Sequence, residues 1–262
     1  MIKLNNTPVP QNKFPDGTLL MKYTELYFPK HNVIDWKYEN DGELFTLFCL
    51  TRHLQEHRPN CTIALIVDYL PHARMDRVKS NEDIFTLKYF CEIINSLNFN
   101  KVIVEDVHSN VSLALLDRVV ERKPIASINN VLQQVPTTGR ELIAFYPDEG
   151  AMKRYQDWID SPYAFGIKKR NWSTGTIEGL DIVGDVEGRD ILIIDDICSK
   201  GGTFYHSAKK LKELGAKDIY LYVTHCEDTI FEGELLKNND LIKHIFTTDS
   251  LITREHEKIT IV

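Results

Sequence analysis

Asp190–Thr203 reads DILIIDDICSKGGT, and the chain continues FYHSAKKLKELG to Gly215. The four apolar residues Ile191–Ile194 have the β-branched composition of a buried strand. Phe204, Ala208, Leu211 and Leu214 recur at helical spacing, and Gly215 supplies a stop. Between strand and helix stand two consecutive carboxylates, Asp195 and Asp196, then two hydroxyl residues, Ser199 and Thr203, around Lys200 and the glycines Gly201 and Gly202. A strand apolar on both faces that turns through a small-residue loop into an amphipathic helix is half of a βαβ unit, from which covered parallel sheets are assembled.

The pattern repeats along the chain. Thr62–Val67 (TIALIV), Lys101–Val104 (KVIV), Leu142–Phe145 (LIAF) and Ile219–Val223 (IYLYV) are further short β-branched runs, and Ile84–Leu97 places Ile84, Leu87, Phe90, Cys91 and Ile94 on one helical stripe. The fold class is therefore α/β. The polar stretch Ser127–Arg140, with Pro136 and Gly139, marks a crossing between two domains, 1–130 and 131–249.

The chain has 262 residues, 43% hydrophobic and 26% charged, enough for one large core or two modest ones. That excludes a disordered tail, a collagen-like repeat and a disulfide-held miniprotein. Its apolar runs, such as Leu44–Leu50, fall short of the roughly 18 residues a membrane span needs. The first residues, MIKLNNTPVP, lack a secretory leader, so the expected compartment is the cytoplasm. Five cysteines without a C-x-x-C pair read as reduced thiols. With 31 Lys and Arg against 38 Asp and Glu, the net charge of −7 argues against a nucleic-acid surface. A locally basic pocket for a small anion remains compatible with it.

Five segments carry chemistry. In the first, the N–H groups of the loop and first helical turn after Asp195 and Asp196 form an anion site. Gly201 and Gly202 let a phosphate approach, while Ser199 and Thr203 can donate hydroxyl hydrogen bonds. Asp195 and Asp196 point to opposite sides of the strand, so at least one can accept from sugar hydroxyls. The blander reading, a turn with a capping acid, sits poorly with two acids at a buried strand end. The second segment, Asp68–Arg77 (DYLPHARMDR), gathers His72, Arg74, Asp76 and Arg77 after a strand, where open α/β sheets bind ligands; a surface ion-pair patch is an equal alternative. In the third, Val104–Ser109 (VEDVHS), His108 beside Asp106 suits a metal ligand, a proton carrier or a structural imidazole. The fourth, Phe145–Gly150 (FYPDEG), presents Asp148 and Glu149, with a helix N-cap as the plain reading of Asp148. The fifth, Gly166–Gly175 (GIKKRNWSTG), suits a basic loop closing over an anion, or a solvated hairpin.

Taken in order, the segments resemble the ribose-phosphate pyrophosphokinase family, the enzymes that make phosphoribosyl pyrophosphate (PRPP). The likeness runs through FPDG (Phe14–Gly17), YLPHARMDR (Tyr69–Arg77), EDVHS (Glu105–Ser109), YPDEG (Tyr146–Gly150), KKR (Lys168–Arg170), GDVEGRDILIIDDICSKGGT (Gly184–Thr203) and VTHC (Val223–Cys226). It implies two phosphoribosyltransferase-like domains with mostly parallel sheets, the first on the ATP side and the second on the ribose 5-phosphate side. The C-terminal strand, within Lys258–Val262, returns to the first domain in such proteins. The implied reaction transfers the diphosphoryl group of Mg-ATP to the 1-hydroxyl of ribose 5-phosphate, giving PRPP and AMP.

By the same resemblance, Ser199, Lys200, Gly201, Gly202 and Thr203 cradle the 5-phosphate, and Asp195 and Asp196 hold the ribose hydroxyls. His108 and Asp148 ligate Mg2+. Phe14, Asp16, Arg74, Asp76 and His108 lie on the ATP side, Phe14 and Asp16 across a subunit boundary in a homo-oligomer between dimer and hexamer. Lys168 and Arg170 serve the transition state. The sequence departs from the family at Thr18 (usually Glu), Met75 (usually Gln) and Ser199-Lys200 (usually Asp-Thr), and the family's usual first strand has no counterpart ahead of FPDG. There are two rival readings: a phosphoribosyltransferase that consumes PRPP, which has the same D-D-x-x-x-x-G-G-T type of loop but would not need HARMDR, His108 and FPDG, and a catalytically silent relative that regulates a synthase.

Overall fold

The computed structural model describes the chain except residues 23–28, 138, 171–176 and 238–239, and for 168–170 and 177–178 it describes the backbone alone. The chain divides into two units, Met1–Lys123 and Pro124–Val262.

The first unit contains β1 (Ile2–Leu4), β2 (Thr7–Pro8), β3 (Asn12–Lys13), β4 (Leu19–Leu20), β5 (His31–Trp36), α1 (Glu43–His57), β6 (Thr62–Val67), α2 (Thr86–Ser96), β7 (Lys101–Glu105), α3 (Asn110–Leu115) and β8 (Val119–Arg122). Its main sheet has the order β2-β1-β5-β6-β7-β8, with β5 to β8 parallel. Ile63, Leu65 and Val67 alternate into the core from β6. The α2 helix buries Leu87, Phe90, Cys91 and Ile94, four of the five residues of the stripe read from the sequence; Ile84 precedes the helix and is exposed. Each large apolar side chain so buried contributes roughly 2 kcal/mol. The sequence left no first strand ahead of FPDG, yet Ile2–Leu4 forms one: Ile2 and Leu4 are buried, and the strand runs antiparallel to β5.

The second unit contains α4 (Ile125–Gln134), β9 (Leu142–Tyr146), α5 (Glu149–Tyr155), β10 (Tyr163–Arg170), β11 (Ile177–Val183), β12 (Asp190–Cys198), α6 (Gly202–Glu213), β13 (Ile219–Cys226), β14 (His244–Thr247) and β15 (Ile259–Ile261). The sheet order is β11-β10-β9-β12-β13-β14-β15, parallel except for β11. Two apolar layers cover β12. Ile191 and Ile193 share one with Phe204, Ala208 and Leu211 of α6; Leu192 and Ile194 share the other with Ile128 and Val131 of α4 and with Tyr155. A strand covered on both faces requires apolar residues at successive positions, the pattern seen in ILII.

Two sequence expectations are corrected here. The segment Ser127–Arg140 is not a crossing: most of it is α4, whose Ile128, Val131 and Val135 pack in the second unit, so the boundary falls at Lys123/Pro124 rather than 130/131. The polar residues Asn129, Asn130, Gln133 and Gln134 form the outer or partly exposed faces of that helix, and Pro136 and Gly139 follow its end. The C-terminal strand does not return to the first unit, because β15 pairs with β14 at the edge of the second sheet. Of the basic segment Gly166–Gly175, residues 166–170 continue β10, which pairs antiparallel with β11, the arrangement of the hairpin alternative; residues 171–175 lie outside the described residues.

Candidate active site

The β12 strand delivers Asp195 and Asp196 to its carboxyl end, and the chain then turns through Cys198–Gly201 into α6. Gly201 caps the helix at φ 77°, a left-handed conformation that glycine adopts without the steric cost borne by other residues. A Cβ on Gly201 would lie 2.3 Å from Leu235 Cδ1, and one on Gly233 would lie 1.8 Å from the Lys200 carbonyl oxygen. The loop is thus seated directly on Gly233–Leu235. Gly202, by contrast, has nothing within 4 Å of its Cβ position, and Gly202 and Thr203 are exposed. The first-turn N–H groups of α6 lack partners within the helix, so this open side suits an anion.

Ser199 has a partner on the neighbouring strand's end. Its Oγ donates to Glu227 Oε2 at 2.7 Å, so its single proton is committed away from the open side. Thr229 Oγ1 donates to the same oxygen at 2.9 Å, and Glu227 N–H donates to the Cys198 carbonyl at 2.8 Å. Lys200 is exposed and pairs with Glu232 at 2.8 Å.

Behind the loop, Asp148 leaves β9 after Pro147 and caps α5, its Oδ1 accepting from the Ala151 N–H at 3.1 Å. The plain N-cap reading therefore holds, and the same carboxylate acts on the β12 acids. Burial, then Asp196 and Asp148, push the Asp195 carboxyl well above the ordinary carboxylate range. Asp196 N–H donates to Asp195 Oδ1 at 3.0 Å, while the buried Asp196 carboxylate meets Arg154 Nη1 at 3.3 Å. The second unit thus brings together Asp148, Asp195, Asp196 and the loop Ser199–Thr203. Lys168 and Arg170 lie on β10 by their backbone; their side chains are outside the described residues.

In the first unit, the ends of β6 and β7 join Asp76 to His108 and Ser109. Asp76 is buried and held bidentately by Arg77, at 2.7 and 3.0 Å. The Arg77 hydrogen bond, reinforced by Ser109 and the nearby His108, holds the Asp76 carboxyl below its usual range despite burial. Arg74 is exposed on the same loop. His72 adopts a left-handed φ of 64°, and its Nε2 lies 3.0 Å from Asp41 Oδ1. Phe14 and Asp16 sit on the β3–β4 turn, Phe14 exposed. Asp16 Oδ1 accepts from the Thr18 N–H and hydroxyl at 2.9 and 2.7 Å, so Thr18, where the family usually has Glu, closes the turn.

Arg154 and Glu227 were not singled out from the sequence. Glu227 follows a parallel strand's carboxyl end, where α/β sheets place ligand-binding groups, and that rule is the available signal for it. Arg154 carries no comparable signal, because only the packing of α5 on β12 brings it to Asp196.

Both units are α/β with mostly parallel sheets. The solved phosphoribosylpyrophosphate synthetase from Mycobacterium smegmatis has the same fold: TM-score 0.78 at 18% identity, over 97% of this chain and 85% of that one. Residues 173–260 match the family described as phosphoribosyl synthetase-associated domain. The ribose-phosphate pyrophosphokinase of Vibrio vulnificus strain YJ016 is 30% identical over 197 residues, covering 72% of this chain and 61% of that protein. The enzyme of the same name from Bacillus subtilis strain 168 is 28% identical over 211 residues, covering 76% of this chain and 62% of that protein. The chain is similar to the ribose-phosphate pyrophosphokinases, and these alignments span about three fifths of those curated proteins.

Proposed function

We propose that this protein transfers the diphosphoryl group of Mg-ATP to the 1-hydroxyl of ribose 5-phosphate, giving PRPP and AMP. The observation that carries the reading is the juxtaposition at the end of β12: two adjacent carboxylates followed at once by an open-sided loop at a helix N-terminus. A phosphorylated sugar needs both, an anion cradle for its phosphate and acceptors for its hydroxyls. The 5-phosphate takes the N–H groups and hydroxyl of Gly202 and Thr203. Asp195 and Asp196 accept from the sugar's hydroxyls. Ser199 shapes the loop through Glu227, and Lys200 supplies positive charge at its rim.

In this reading Arg74 serves the ATP phosphates, and Asp76 orders the loop that carries it. Phe14 and Asp16 serve adenine from a neighbouring copy in a homo-oligomer. Lys168 and Arg170 neutralise charge that builds on the transferring group, an electrostatic role that needs no covalent chemistry. Among the described residues no group of three His, Cys, Asp or Glu side chains is disposed to hold a metal ion. Mg2+ is commonly held by one or two protein groups together with substrate phosphates; His108 in the first unit and Asp148 in the second are each residues that could meet it. When bound, the ion would neutralise phosphate charge. The protein would then be a cytoplasmic enzyme of nucleotide precursor synthesis; no helix among the described residues is long and apolar enough to cross a membrane.

Two substitutions test the assignment. Lys168→Ala should lower kcat by orders of magnitude and leave ribose 5-phosphate binding nearly intact, since a cation used at the transition state contributes little in the ground state. Asp195→Asn should weaken ribose 5-phosphate binding itself. Equal losses of binding and turnover in Lys168→Ala would refute its transition-state role.

A further inference from the structure

The candidate site concentrates three carboxylates, Asp148, Asp195 and Asp196, and a guanidinium reaches them from a helix the sequence motifs do not emphasise. Arg154 lies on α5, the helix that Asp148 caps, and its Nη1 stands 3.3 Å from Asp196 Oδ1. The Arg154 side chain is 20% exposed and that of Asp196 5%, so this pair is shielded from solvent, unlike the surface pairs that contribute little. Its geometry is set by packing. The guanidinium lies 5.7 Å from the Tyr155 ring centroid, and Tyr155 is fully buried between Tyr146 and Trp158, at ring distances of 6.3 and 5.3 Å. Asp196 is attached to the strand that ends in the anion loop. Arg154 therefore couples the helix that presents Asp148 to the acid that stands next to Asp195.

We propose that Arg154 is a positioning residue for ribose 5-phosphate, acting through Asp196: it fixes the Asp196 carboxylate beside Asp195 so that the two adjacent acids can receive one sugar. The proposal rests on the functional reading above and adds to it a residue that need not touch the ligand. The Asp195 and Asp196 side chains are hydrogen-bonded to one another, and without Arg154 the Asp196 carboxylate would lose the cation that holds it there and toward the sugar. Removing one partner of a shielded pair leaves the other's charge uncompensated, which is the more damaging change.

Ribose 5-phosphate binding, measured by isothermal titration calorimetry on the full chain, tests this through Arg154→Met, Arg154→Lys, Asp196→Asn and the Arg154→Met/Asp196→Asn double variant. Arg154→Met should weaken ribose 5-phosphate binding at least tenfold and leave ATP binding within twofold. Arg154→Lys should recover part of the loss. In the Asp196→Asn background, Arg154→Met should cost less than twofold, because its route of action is already gone. If Arg154→Met alone does not fold, the lysine variant and the double variant, which leaves no buried acid uncompensated, carry the same comparison. An Arg154→Met affinity within twofold of the unaltered protein would overturn the proposal, as would an equal loss in the Asp196→Asn background. Failure of the unaltered protein to bind ribose 5-phosphate would overturn the functional reading and the proposal with it, and it is recognised before any substitution is made.

Discussion

The Ser199 hydroxyl donates to the Glu227 carboxylate at 2.7 Å, tying the anion loop at the end of β12 to the end of β13. The neighbouring strands thereby set the loop's shape together: Cys198 and Cys226 are paired in register, and the Glu227 N–H returns to the Cys198 carbonyl. In the proposed function, a short loop so anchored would need little reordering to receive an anion, which preserves binding energy.

Removing that anchor should loosen the loop. Hydrogen bonds to a charged group contribute about 1.5–3 kcal/mol each, and Glu227 receives two from side chains. Glu227→Ala is expected to weaken ribose 5-phosphate binding about tenfold or more by calorimetry, with ATP binding unchanged. Unchanged ribose 5-phosphate affinity would show that the loop holds its shape without Glu227.

The two glycines on either side of the loop should behave oppositely. Gly233→Ala forces a methyl against the Lys200 carbonyl and should cost about 1–3 kcal/mol of stability, read from urea unfolding. Gly202→Ala meets open space, so stability should hold or rise slightly, while the methyl intrudes where the phosphate is expected. Loss of ligand affinity without loss of stability in Gly202→Ala is the diagnostic result. Retained affinity would place the anion elsewhere.

At the opposite end of the second sheet, Arg140 clamps Asp190 at 2.8 Å and Asp218 at 2.6 Å, and the Asp190 side chain is fully buried. Arg140→Met strands that acid and should destabilise the protein by about 3–5 kcal/mol in urea unfolding. A loss below about 1 kcal/mol would mean that the Asp218 N–H, which donates to Asp190 at 2.9 Å, suffices alone.

Asp228 provides a pH-sensitive tie. Burial raises its carboxyl, but hydrogen bonds from the Thr253 hydroxyl and N–H, with Arg254, outweigh that and hold it below the ordinary range. An acid with a lowered folded-state pKa contributes stability above its unfolded value near 4, and that stability is lost as pH falls through the folded value. Asp228→Asn should therefore lower the Tm at pH 7 and make little difference near pH 2. An equal effect at both pH values would contradict the tie.

The sequence was most legible where a single strand and its neighbours decide the outcome. DILII and IYLYV are apolar on successive positions because both faces of their sheet are covered, whereas TIALIV buries the alternate residues Ile63, Leu65 and Val67; the β12–loop–α6 unit follows from the sequence pattern. The Ser127–Arg140 reading failed because polar Asn and Gln residues on the less buried faces of α4 look like a linker, while the buried Ile128, Val131 and Val135 reveal a helix once they meet the sheet. Nothing local in KITIV says which sheet edge will accept it. The acids of the site were readable because adjacent carboxylates at a strand end are conspicuous. Arg154 and Glu227 were not, because each acquires meaning from a contact with a residue far along the chain.

The identity of the nucleotide product tests the central claim most directly. When the protein, MgATP and ribose 5-phosphate are followed together by phosphorus NMR, attack at the β-phosphorus predicts equal amounts of AMP and PRPP, dependent on ribose 5-phosphate and lost in Asp195→Asn. Formation of ADP, or no consumption of ATP, would contradict it.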